Sequence, residues 1–123
     1  MSTLSIILIA LIAVLHLYIL WLEMFAWESR GPKVFSSFPK ELFPATKSMA
    51  ANQGLYNGFL AVGLLWSLFI RDAKWKVNVG TCFLLFVAVA GMVGAYTVSS
   101  HILYIQTVPA IITLGLLHIR RPA

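Results

Sequence analysis

The run from Ser5 to Leu22 has no charged side chain and one strongly polar one, His16. A helix needs about 20 apolar residues to cross the hydrocarbon core of a bilayer. The stretch from Leu4 to Trp27 therefore reads as a membrane span. Glu23 follows His16 by two helical turns and Trp27 follows Glu23 by one more, so all three share a face. An imidazole or a carboxylate at membrane depth is costly unless it faces protein or water, which makes both candidates for function. A cleaved secretory signal would look different: no Lys or Arg precedes the apolar run, and no clear small-x-small site ends it.

The rest of the chain keeps to the same solvent. At 123 residues and 60% apolar composition, with a mean hydropathy of +0.89, a water-facing globule of this size could not hide its apolar surface. The net charge of +5 comes from Arg30, Lys33, Lys40, Lys47, Arg71, Lys74, Lys76, Arg120 and Arg121, all in connecting segments or the tail. That is the distribution expected of lipid headgroup contact and topology control. No basic helix or RNA-binding aromatic motif points to nucleic acid. The three histidines are scattered and Cys82 is alone, so no metal-ligand spacing appears. No phosphate loop or dinucleotide fingerprint calls for a cofactor.

Four spans are expected, at about 4–27, 49–70, 77–98 and 99–119, forming one membrane domain over 1–123. The fold class is all-α integral membrane: a four-transmembrane-helix bundle, with a covering loop between helices 1 and 2. That loop, Glu28 to Ser48, holds Pro32, Pro39, Pro44 and six charged residues, too polar and proline-broken to cross. Phe35, Phe38, Leu42 and Phe43 would lie in the interface, as a short helical segment or an irregular loop. Both termini on the cytoplasmic side would place five Lys/Arg inside and four outside, a margin of one charge. Pro109 is expected to kink or loosen the last helix.

Polar side chains cluster in the second span. Asn52, Gln53, Tyr56 and Asn57 fall on one arc about 140° wide, beside a stripe of Ala50, Gly54 and Gly58 that permits close helix contact. An unpaired amide in hydrocarbon costs several kcal/mol, so the arc is expected to face inward. Antiparallel hairpins bring Glu23, Tyr104 and Gln106 to the same half of the bilayer. His16, roughly 15 Å in from Trp27 at the helical rise, would close this funnel near the midplane.

The segments His16 to Trp27, the Phe-Pro-Lys-rich loop, Ala51-Asn-Gln-Gly-Leu-Tyr-Asn-Gly-Phe59 and Gln106-Thr-Val-Pro-Ala110 resemble the small bacterial four-span membrane proteins grouped as domain of unknown function 1304. The resemblance covers essentially the whole chain. It implies a multi-pass protein of the bacterial inner (plasma) membrane, and no activity.

From the residues, the leading expectation is a pocket that binds or transports a small amphiphilic or cationic molecule. Glu23 supplies the charge and His16 a proton partner, while Asn52, Gln53, Tyr56, Asn57, Tyr104, Gln106 and Trp27 orient the ligand. An alternative is a membrane-embedded isomerase or transferase on a lipid-like substrate, with His16 and Glu23 as catalytic acid and base. A non-catalytic assembly partner is a third. Four helices enclose little volume, so a homo-oligomer in contact with membrane lipid is expected.

Overall fold

The computed structural model describes residues 1–119. Arg120 and Arg121, on which the orientation argument leans, lie outside the described residues. Among the described residues every regular element is helical.

Helix α1, Thr3–Phe25, starts at Ser2, whose hydroxyl accepts from the Ser5 amide at 3.1 Å. Its run of Leu, Ile, Val and Ala has no Gly or Pro to interrupt it, and it buries Ser5, Ile9, Ile12, Ala13, His16 and Leu22. Beyond it a short helix, α2 (Gly31–Val34), and a 3₁₀ turn at Lys40–Leu42 divide the connection, so the loop is partly helical and partly irregular. Helix α3, Lys47–Phe69, ends where Ile70 turns extended. The Lys76 ammonium donates to the Leu68 carbonyl at 2.6 Å, placing a cation on free carbonyls at that C-terminus. Asp72 then caps helix α4, Ala73–Thr97, by accepting from the Trp75 amide at 3.0 Å.

The last helical stretch opens as a π turn, Leu103–Thr107, and continues as α5, Val108–His118. Pro109 explains the widening. Its ring would clash with the Ile105 carbonyl in a regular α-helix and it has no N–H to donate. The ladder instead bonds the Val108 amide to the Leu103 carbonyl, five residues back. The expected loosening takes this form.

Two of these helices, Thr3–Phe25 and Ala73–Thr97, are long and apolar enough to cross a membrane. Helix α3 is as long as α1 but carries three amides, and the last apolar stretch, Leu103–His118, is shorter.

Neighbours along the chain pack in a ring: α1 on α3, α3 on α4, α4 on the π turn and α5, and α5 back on α1. Ile9, Ile12 and Ala13 meet Ala61, Leu64, Leu84, Val87, Ala88 and Ala110 in the shared core. Missing side chains set two of the closest approaches. A Cβ at Gly54 would sit 2.8 Å from Met24 Cγ and 3.1 Å from the Leu20 carbonyl oxygen, so α1 and α3 touch nearly backbone to backbone. At Gly91 it would collide with the Thr107 hydroxyl and lie 3.0 Å from the Thr107 amide. Across that second contact Thr107 donates to the Ala88 carbonyl at 2.9 Å and Gln106 to the Val87 carbonyl at 3.0 Å. The chain thus forms two glycine-packed pairs, α1 with α3 and α4 with the last helical stretch.

At one end the two pairs meet directly. Phe83 of α4 lies against Gly63 of α3, and Met1 and Leu117 both approach Gly80. At the other end, under the α1–α3 connection, a cavity separates them.

Candidate functional site

The cavity measures about 630 Å³ and takes its walls from both helix pairs and the connection. Its lining is mostly apolar, and among the described residues Glu23 is its one ionisable carboxyl. Asn57 Nδ2 donates to Glu23 Oε1 at 2.7 Å and to the Gln53 carbonyl at 3.2 Å, so both hydrogens of that amide are spent. Asn57 holds the carboxyl from one side, and Oε2 has no protein partner among the described residues. Among the described residues no Lys or Arg is part of the lining. The loop's Lys47 lies 3.5 Å from Glu28 instead, an exposed pair. Gln53 and Gln106 complete the amides of the wall.

Trp27 ties the connection to the start of α3 beside this cavity. Its indole N–H donates to Thr46 Oγ1 at 3.0 Å, and its ring lies 4.8 Å from Phe43, 5.6 Å from Phe35 and 6.1 Å from Phe38, centroid to centroid. Phe43 is 1% exposed. Such offset and edge contacts hold the aromatic cluster together beyond its area burial. Arg30 reaches back along α1 and donates to the Tyr18 hydroxyl at 2.7 Å. A second cavity of about 230 Å³ shares Val34, Phe35, Ile102 and Ile105 with the first and adds Ser36, Ser37, Ser99 and His101.

The residues singled out from the sequence divide into two groups. Glu23, Trp27, Gln53, Asn57 and Gln106 line one cavity. Asn52, Tyr56 and Tyr104 do not; all three are exposed. The single inward-facing arc on the second span is therefore corrected. Packing of Gly54 and Gly58 on Leu20 of α1 fixes the rotation of α3. At about 100° per residue, Gln53 and Asn57 then flank the contact while Asn52 and Tyr56 lie opposite it.

His16 is also placed differently from the funnel expected. It is fully buried and does not line the cavity. Its Nδ1 lies 2.8 Å from the Ile12 carbonyl, which accepts only from N–H, so in the neutral ring Nε2 is the bare acceptor. That atom is buried with no partner among the described residues. His16 and Glu23 do share a face of α1, but Ile19 and Leu22 occupy the cavity wall between their levels. Sequence reasoning missed Thr46, Tyr18 and Arg30. The spacing of Thr46 from Trp27 gives no signal, because the loop between them sets it.

No solved structure matches the chain. The uncharacterized protein YpaA of Lactococcus lactis subsp. lactis (strain IL1403) is 31% identical over 116 residues, covering 93% of this chain and 96% of that protein. Residues 10–118 match a family described as "Protein of unknown function (DUF1304)". With nearly its whole length inside that match, the chain belongs to the DUF1304 family.

Proposed function

We propose that the protein is a single-domain, four-span protein of the bacterial inner membrane, its α1–α3 connection lying over one end. Its cavity binds a small amphiphilic or cationic molecule, and the bound state serves transport. Large apolar side chains on the outer faces support the membrane part: Leu11 and Val14 on α1, Phe86 and Val93 on α4, Ile111 and Ile112 on α5 are all about half exposed or more. An apolar surface this continuous needs lipid or protein against it. Asn52 and Tyr56, polar and outward on α3, offer hydrogen bonds to a second copy of the chain and so support a homo-oligomer.

One observation carries the binding reading. A carboxyl group with one amide partner and one free oxygen stands in a cavity whose lining, among the described residues, holds no cation. A carboxylate in such surroundings is satisfied by a positive ligand, through charge-assisted contact that water does not screen. The site favours binding over acid–base chemistry because His16 does not line it.

The test is equilibrium binding of tetraphenylphosphonium to the full chain in phosphatidylcholine vesicles. Glu23→Gln keeps the shape and the contact with Asn57 but removes the charge. It is expected to weaken binding about tenfold or more, equivalent to at least about 1.4 kcal/mol. Equal affinity for the two proteins would overturn the assignment of Glu23.

A further inference from the structure

The cavity is long as well as apolar. Its α1 wall extends from Trp27 through Glu23 and Ile19 to Leu15, about 18 Å at the helical rise. Facing it are Ala90 and Gly94 of α4, whose side chains take up almost no room, and then Ile102 and Ile105. A compact cation would occupy the part beside Glu23 and leave the remainder unfilled.

The polar groups are unevenly spread along this length. Glu23, Asn57, Gln53 and Thr46 lie toward the connection, whereas Ile19 and Leu15 continue the α1 wall in the other direction. Gln106 is the one amide farther in, and its nitrogen is already bonded to the Val87 carbonyl. We infer that the ligand is a single-chain amphiphile with a cationic head, seated with the head at Glu23 and the chain along α1 toward Leu15, and that it enters sideways from the membrane leaflet. This rests on the reading of Glu23 as the counter-charge.

Length and access both support it. Glu23 and Leu15 are eight residues apart, about 12 Å, room for a chain on the order of ten carbons. Toward the connection the way in is obstructed by the clustered, mutually tilted rings of Trp27, Phe35, Phe38 and Phe43. On the side, Tyr18 of α1 and Ile105 of the π turn both line the cavity and are both exposed, 37% and 54%. The helix pairs pack closely through the shared core and toward the far end, and on this reading the gap between these two residues is the lateral way in. An ammonium head drawn through it passes beside Arg30, held on the Tyr18 hydroxyl at 2.7 Å, and reaches a site that supplies a carboxylate.

Photolabelling of the full chain in phosphatidylcholine vesicles tests this. The probe is dodecyltrimethylammonium with a diazirine at the chain end, and the control is the uncharged alcohol of the same chain. The charged probe is expected to form adducts at Leu15, Ile19 or Ala90, about tenfold above the alcohol. Glu23→Gln should bring the two to parity, and Ala90→Leu, which fills the slot, should abolish the inner adducts. Adducts confined to outward residues such as Leu11 and Val14, equal for both probes, would overturn the inference. If Glu23-dependent tetraphenylphosphonium binding persists in that preparation, only the chain placement falls; if it is also absent, the cation reading falls with it.

Discussion

Gly54→Leu is expected to separate α1 from α3 and to lower the thermal midpoint of the protein in detergent by about 10 °C or more. Three atoms stand where the new side chain must begin: Met24 Cγ at 2.8 Å, Glu23 Cβ at 3.0 Å and the Leu20 carbonyl oxygen at 3.1 Å from an added Cβ. The methionine could swing aside. The carbonyl cannot, because it belongs to the α1 backbone, so the two helices must move apart. Overpacking of a tight contact costs about 1–3 kcal/mol, and here separation also breaks the Asn57–Glu23 bond one turn further along α3. Gly115→Ala supplies the control, since nothing lies within 4 Å of its added Cβ. Alanine there should leave stability unchanged or raise it by up to about 1 kcal/mol. Far-UV circular dichroism on heating distinguishes them, and a Gly54→Leu midpoint equal to that of the parent would refute the close-contact argument.

His16 gives the second large effect, and its sign depends on the replacement. Alanine leaves a hole at a fully buried position, with an expected cost of about 2–4 kcal/mol. Leucine fills the volume and removes Nε2, a buried acceptor without a partner whose burial costs about 1–3 kcal/mol. The Ile12 carbonyl that loses the Nδ1–H contact sits inside a helix and keeps its ladder bond. His16→Leu is therefore expected to melt at or above the parent, and His16→Ala well below it. A leucine variant as unstable as the alanine one would mean that Nε2 is satisfied in the membrane.

Much of this architecture was legible before any coordinates, for reasons that differ from residue to residue. The repeat of Ala50, Gly54 and Gly58 marks a helix contact because only small residues at that spacing let backbones touch. Hairpin geometry alone brings Glu23 and Gln53 into the same half of the bundle, whereas the Asn57–Glu23 bond depends on how α1 and α3 pack. Pro109 announces an irregular helix through its missing donor. The rotation of α3 was not legible in the same way. Gln53 and Asn57 belong with Asn52 and Tyr56 on a helical wheel, and only the Gly58–Leu20 contact separates the pairs. His16 illustrates a related limit: periodicity gives the face of α1 that it occupies, but its removal from the cavity depends on how Ile19 and Leu22 pack. The bond from Trp27 to Thr46 depends on a loop whose path has no period at all.

The π turn has a consequence for chain length. Leu103–Thr107 accommodates one more residue than an α-helix would over the same rise. Loss of a single residue there, together with replacement of Pro109, would let the helix close into regular geometry while Ala110 and Thr113 keep their present, buried azimuth. The same deletion within α3 would swing Gly54 and Gly58 by about 100° away from α1. Single-residue losses among related chains are thus tolerable at one position in this fold, in chains that also lack the proline, and ruinous at the other, so an alignment of the family should gap at the π turn and not across the glycines.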